Sequence, residues 1–327
     1  MGITPEITWC GECSRRETTG EMVYLRTLPT TGTTRKSKNA AYRQPQWAVN
    51  LHGFFAGGDL YRRESEMLAL HLGWSVLTPD LPGFAATPAP RESEDVSAYT
   101  YAEAVLRLLD DLEVPSAVIV GHSMGGAVAV ALADLAPERV AGIVYRDGIA
   151  TPSWRSGYSG GQTTNQLLTR LGEIRMATIL GAKFMAELPS LAYAGADEVS
   201  AAAPVVAHNL RHLSGPLAAW KVLFETDLSA ASAAASKQGI PMVQCWGVED
   251  RLTPPATAEE FRRATGAPIR WMLGGHGWMF ADAEAQALAL RNSSEGREFL
   301  AAVRRRTLIR AEHTGPFHDG EAKRQAS

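Results

Sequence analysis

The stretch VIVGHSMGG, Val118 to Gly126, changes character halfway along. With Ala117 ahead of it, Val118-Ile119-Val120 is a short apolar, mostly β-branched run, the composition of a buried strand. Gly126 to Ala136 then reads as helix. Between them lies Gly121-His122-Ser123-Met124-Gly125, a Gly-x-Ser-x-Gly. Strand, pentapeptide and helix in that order make a turn sharp enough to strain the serine backbone and to hold its hydroxyl clear of a sheet. A Cβ at Gly121 or Gly125 would run into the neighbouring strand or helix. The turn also aims the first free N–H groups of the helix at whatever sits beside the hydroxyl. The pentapeptide alone also fits a chance Gly/Ser turn, so the decision falls to the rest of the chain.

Working outward, short apolar runs alternate with amphipathic ones. Glu6–Cys10 and Met22–Leu28 read as strands, and Thr-, Lys- and Pro-rich residues 29–46 as an exposed loop. Gln46–Leu51 is an apolar strand, and Asp59 is placed to cap a helix over Leu60–Leu72. A strand at Trp74–Thr78 and a helix at Ala98–Leu112 lead to the serine turn, and Val140–Tyr145 is the strand after it. The alternation stops at Pro152. From there to Lys237 the chain is rich in Ala, Leu, Met and Gly and reads as helices with no strand. It resumes with a strand at Ile240–Trp246, a helix at Pro255–Ala264, a strand at Ile269–Leu273 and a helix at Ala283–Arg305. This predicts an α/β fold with a mostly parallel, doubly wound sheet covered on both faces. Residues 1–150 and 238–313 form the core, residues 151–237 an inserted helical cap, and residues 314–327 a polar tail expected to be disordered.

Composition narrows the function classes. The 327 residues are 45% hydrophobic and 20% charged, ordinary for a globular protein. Thirty-two basic against 35 acidic residues, a net charge of −3, leave no footprint for nucleic acid or an anionic membrane. No apolar run approaches the roughly eighteen residues of a spanning helix. MGITPEITWC lacks a signal-peptide profile, and Glu6 stands where a myristoylation site wants Ser or Thr, so a cytoplasmic location is expected. Three cysteines make no disulfide framework. Cys10 and Cys13 form a CxxC with no matching second pair, which reads as reduced and incidental rather than as a zinc site. No residue pattern implies a metal or cofactor, and none fixes the oligomeric state.

The serine turn resembles the nucleophile elbow of the α/β-hydrolase superfamily, in its serine-nucleophile branch with a helical cap. That resemblance implies a chain order of serine, acid and histidine, each after a strand. Ser123 then attacks, His276 in Gly274-Gly275-His276-Gly277-Trp278 is the base, and Asp250 in Glu249-Asp250-Arg251-Leu252-Thr253-Pro254 is the acid. Glu249 is one residue off and would point elsewhere. Asp147, after the strand preceding the insertion, is the alternative acid. The oxyanion donors expected are the N–H groups of Met124 and Phe54, the latter because His52-Gly53-Phe54 resembles the family's His-Gly loop. His52 and His122 are expected to brace the structure, and Asp80 in Pro79-Asp80-Leu81-Pro82-Gly83 to organise loops.

Pocket candidates are Phe55, His122, Tyr158, Tyr193, Trp220 and Trp278, with Trp154, Phe184 and Phe224 adding to an apolar roof. The function expected is hydrolysis of an ester, thioester or lactone of a small to medium apolar molecule. Elimination or carbon–carbon cleavage by the same groups is the alternative, and a non-catalytic receptor the third reading.

Overall fold

The structure is a computed structural model that describes residues 14–29, 46–90, 96–157 and 196–313. Among these residues, eight strands form one sheet in the order β1-β2-β4-β3-β5-β6-β7-β8. They are β1 (Ser14–Thr19), β2 (Met22–Thr27), β3 (Trp47–Leu51), β4 (Ser75–Pro79), β5 (Ala117–His122), β6 (Val140–Arg146), β7 (Met242–Gly247) and β8 (Ile269–Met272). β2 pairs antiparallel with β1 and β4, and every other pairing is parallel.

Alternation along the central strands splits the core in two. Val49, Ile119, Ile143 and Tyr145 face one cluster, while Ala48, Val118, Val120 and Val144 face the other. Helices cover both sides, because a parallel sheet needs crossovers. On the first side lie α2 (Ala98–Asp111) and α3 (Met124–Leu135), through Tyr101, Val105, Val128 and Leu132. α1 (Arg62–Leu72) covers the second through Leu68.

Between β6 and β7 the described residues form a short 3-10 turn at Pro152–Gly157 and the helices α4 (Ala196–Arg211), α5 (Ser214–Glu225) and α6 (Ser229–Lys237). After β7 comes α7 (Pro255–Thr265), and α6 packs against both α3 and α7. After β8 follow α8 (Trp278–Ala281), α9 (Ala285–Asn292) and α10 (Ser294–His313), the last two returning to the second face through Leu290, Phe299 and Val303. No described helix is long and apolar enough to cross a membrane.

Three local expectations change. Asp59 is not a helix cap. It sits inside a 3-10 turn, Gly58–Tyr61, and its carboxylate pairs with Arg16 and Arg62, while α1 starts after Tyr61 without a side-chain cap. The single last helix is two, because Ser293 is extended and its Oγ accepts the Gly296 N–H, a fresh N-cap. β1 is at Ser14–Thr19; the strand expected at Glu6–Cys10 lies outside the described residues, as do Cys10, Cys13, Tyr158, Phe184, Tyr193 and 314–327.

Candidate active site

Parallel pairing brings the C-terminal ends of β3, β5, β6, β7 and β8 to one edge of the sheet. Ser123 follows β5 there, with φ 54° and ψ −116°. A non-glycine residue in such a region is strained by about 1–3 kcal/mol and persists only where its surroundings hold it. The surroundings do so from both sides. The Ser123 N–H donates to Arg146 O at 2.9 Å, and Ser123 O accepts from Gly126 N–H at 2.9 Å. A Cβ on Gly121 would lie 2.4 Å from Gly125 O, and one on Gly125 2.5 Å from Leu51 O, so both glycines are sterically required. Met124 opens α3, where first-turn N–H groups have no partner within the helix. Arg146 anchors the adjacent strand. It is fully buried, paired to Glu64 of α1 and bonded to Asn50 Oδ1 at 2.6 Å.

Asp250 and His276 meet across the loops after β7 and β8, with His276 Nδ1 2.8 Å from Asp250 Oδ2. A carboxylate only accepts, so Nδ1 carries the proton and Nε2 is the basic nitrogen. Asp250 also accepts from the backbone N–H groups of Leu252 and Thr253, each at 2.8 Å, and from the Thr253 hydroxyl. Burial pushes the Asp250 carboxyl upward, but the His276 ring and the Thr253 donors outweigh it and hold the group below the usual range. Glu249 is exposed and takes no part.

Asp147 is buried beside this pair. Its oxygens accept from Gly247 N–H at 2.9 Å and Trp278 Nε1–H at 2.7 Å. Burial first, then the Asp250 charge, raise its carboxyl well above the ordinary value. The two aspartates thus differ in direction: Asp250 is pulled below the ordinary carboxylate value and Asp147 is pushed well above it. Asp147, Asp250 and His276 each bring a potential metal ligand within 4.8 Å of the others. The His276 Nδ1 proton points at Asp250, however, and a cation among the three would have to displace the donors already there.

The loop after β3 crosses directly over the elbow: a Cβ on Gly53 would lie 3.2 Å from Ser123 Cβ. This sets Phe54 next to the serine. His52 is buried and braces the loop, with its Nδ1–H on Gly53 O at 2.8 Å and its Nε2 accepting Leu81 N–H at 2.9 Å. His122 is also buried. Its Nε2–H donates to His276 O at 3.0 Å, and its Nδ1 accepts from the Tyr61 hydroxyl at 2.7 Å. That hydroxyl accepts the Gly53 N–H at 3.2 Å. One directed chain, Gly53 to Tyr61 to His122 to His276, therefore ties the Phe54 loop to the histidine loop. Asp80 organises loops: it accepts from Gly58 N–H at 2.7 Å and Ala86 N–H at 3.2 Å, and pairs with Arg16.

The pocket candidates separate. Trp220 of α5 lies against Phe54, ring centroids 6.1 Å apart, and Phe55 and Phe84 lie at 5.5 and 6.1 Å from the same ring. Phe224 and Trp154 continue the cluster. His122 and Trp278 instead sit beneath the loops and are occupied by the bonds just described, because their polar nitrogens were needed to satisfy buried acceptors. Sequence reading missed Tyr61, Thr253 and Asn209. Thr253 carried a signal, since Asp-x-x-Thr is the spacing of a carboxylate accepting forward N–H groups. Nothing local marked Tyr61 or Asn209.

A sequence profile of the α/β hydrolase fold matches residues 49–277, from β3 through the histidine. The chain belongs to the α/β-hydrolase family. It is 27% identical over 252 residues to the pimeloyl-acyl-carrier-protein methyl ester esterase of Neisseria meningitidis, covering 76% of this chain and 90% of that one. Among solved structures it is similar to the enol-lactonase from Burkholderia xenovorans LB400, with TM-score 0.61 and 17% identity, covering 88% of this chain and 100% of that one. It is also similar to the bromoperoxidase from Bacillus anthracis, with TM-score 0.55 and 17% identity, covering 87% and 95%. At those identities the structural likeness speaks for the fold.

Proposed function

We propose that the protein is a serine hydrolase that cleaves an ester, thioester or lactone of a small to medium apolar molecule. The observation that carries this is the His276–Asp250 pair at 2.8 Å, its tautomer fixed by the carboxylate, on a loop whose His276 carbonyl is bonded to His122, the residue before the strained Ser123. In this reading His276 Nε2 takes the Ser123 proton as Oγ attacks the acyl carbon, and Asp250 stabilises the imidazolium that forms. Oxygen charge in the tetrahedral intermediate falls to the N–H groups of Phe54 and Met124. His276 returns the proton to the leaving group, and water then releases the acyl enzyme by the same steps. The Phe54, Phe84, Trp220 and Phe224 cluster supports an apolar substrate, and residues 151–237 act as its cap. The Neisseria relative, named as a methyl ester esterase, agrees with acyl cleavage.

The test is a fluorophosphonate probe read by intact mass, run beside a product-resolved screen of esters, thioesters and lactones. Wild type should gain one adduct and release acid plus alcohol or thiol, and Ser123→Ala should do neither. An alkene beside a free acid would move the chemistry to elimination. Wild type with neither adduct nor turnover would sink the proposal.

A further inference from the structure

Asn209 is fully buried on α4, in the chain inserted between β6 and β7. Its carboxamide reaches out of that insertion to two core loops. Nδ2 donates to Phe55 O at 3.0 Å and to Ala56 O at 3.3 Å, while Oδ1 accepts Ala85 N–H at 2.9 Å. Carbonyls only accept and a backbone N–H only donates, so the amide has one possible orientation, and both its N–H groups are used.

Both loops are strained where it grips them. Phe55 has φ 65° and Ala85 φ 46°, each uncommon for a residue with a side chain. Phe55 is the third residue of a four-residue turn closed by Ala56 N–H on Gly53 O at 3.3 Å. A positive φ at that place is what glycine ordinarily supplies. A Cβ on neighbouring Gly57 would meet Ala85 Cβ at 2.7 Å and Val205 Cγ1 at 3.2 Å, so α4 lies directly on this turn. The second residue of the turn is Phe54.

We infer that Asn209 is a positioning residue for the oxyanion hole: it holds the Gly53–Ala56 turn in its strained form and so fixes the direction of the Phe54 N–H. The core alone does not complete the hole; a helix of the insertion does, and the same insertion places Trp220 on the Phe54 ring. The inference rests on the hydrolase reading above.

The experiment measures kcat and KM for p-nitrophenyl acetate and butyrate, Ki for an alkyl trifluoromethyl ketone, and Tm. The variants are Asn209→Asp, Asn209→Leu, Phe55→Gly and Asn209→Asp with Phe55→Gly. Aspartate keeps the shape and the acceptor for Ala85 but loses both donors. Asn209→Asp should lower kcat on the order of 100-fold, the scale of one misplaced oxyanion donor, with KM within about threefold. Affinity for the ketone, which forms an oxyanion adduct, should fall in step with kcat. Adding Phe55→Gly should return at least about tenfold of the lost kcat, because glycine holds a positive φ without a clamp.

A residue that merely docks α4 would lower Tm, leave kcat of the folded enzyme unchanged and show no rescue, and that result overturns the inference. Asn209→Leu gives the same readout if the aspartate variant does not fold, and loss of folding in both also counts against a positioning role. Fluorophosphonate labelling of wild type reports separately. Labelling and turnover in wild type, matched by the Asn209 variants, overturns this inference alone; absence of both in wild type overturns the hydrolase reading with it.

Discussion

Tyr61→Phe removes one oxygen from a residue that is 1% exposed. That oxygen donates to His122 Nδ1 at 2.7 Å and accepts Gly53 N–H at 3.2 Å. Both partners are buried, so each is left without a replacement from solvent. An orphaned buried polar group costs about 1–3 kcal/mol, giving roughly 2–6 for two, from which the hydroxyl's own desolvation is subtracted. A net loss of about 2–4 kcal/mol follows, or roughly 3–6 °C in Tm for a chain of this size.

The matched control is Tyr101→Phe. Tyr101 is equally buried, but its hydroxyl has no partner among the described residues, so its removal should be neutral or stabilising by about 1 kcal/mol. Thermal melts of the two variants side by side read the difference directly. Because the lost bonds join the Phe54 loop to the His276 loop, kcat/KM for an ester should fall about tenfold in Tyr61→Phe and stay at wild type in Tyr101→Phe. If the two variants melt within about 1 °C of each other, the directed chain is not what holds these loops, and the reasoning fails.

Three further expectations follow from the site. Burial lowers the pKa of His52 and His122 below the ordinary 6.5, so in acid the unfolded chain binds protons that the folded one refuses. Stability is therefore full above 6.5 and falls as pH drops, by up to about 1.4 kcal/mol per pH unit for each histidine. Asp147, raised above 3.8, runs the opposite way over the same range, so the test uses an Asp147→Asn background: its urea midpoint should fall from pH 7.5 to 5.5, and a midpoint that rises refutes this. Gly125→Ala drives a Cβ to 2.5 Å from Leu51 O and should cost more than about 3 kcal/mol, whereas Gly73→Ala, at φ 69° in open space, should cost about 1; urea titration of both ranks them. Asp250→Asn should lower kcat about 10⁴-fold, while Asp147→Asn, at a carboxyl bonded to Gly247 and Trp278 rather than to the histidine, should lower it less than about tenfold; the reverse order in steady-state assays would make Asp147 the acid.

The sheet's alternation was legible because buried parallel strands carry dense β-branched runs, as in Val118-Ile119-Val120. The elbow was legible because glycine is forced there by backbone contacts on both sides. β1 was not: Ser14–Thr19 is an edge strand whose residues are mostly exposed or half-exposed, so it shows no apolar alternation. Asp59 looked like a cap because capping chemistry is local, yet Arg16, far away in sequence, claims its carboxylate. Ser97, by contrast, forms a full capping box with Thr100, a reciprocal pair that needs only its own turn. The pairing of Asp250 with His276 was expected from the order that the family resemblance implies. Their supports were not, since Tyr61, Asn209 and Trp278 act across 61, 154 and 131 residues of chain, and such pairings leave no periodic trace.

The same close packing has a bearing on redesign. A Cβ on Gly215, at the start of α5, would stand 1.8 Å from Gly83 O, so the two backbones touch with no side chain between them. Together with Asn209 this pins the helix pair at two points, one on each side of its connecting turn. A library aimed at new substrates would gain nothing by sampling those pins. Diversity belongs on Trp220 and Phe224, the ring-bearing positions of α5, where size and polarity can change while the hinge points stay put.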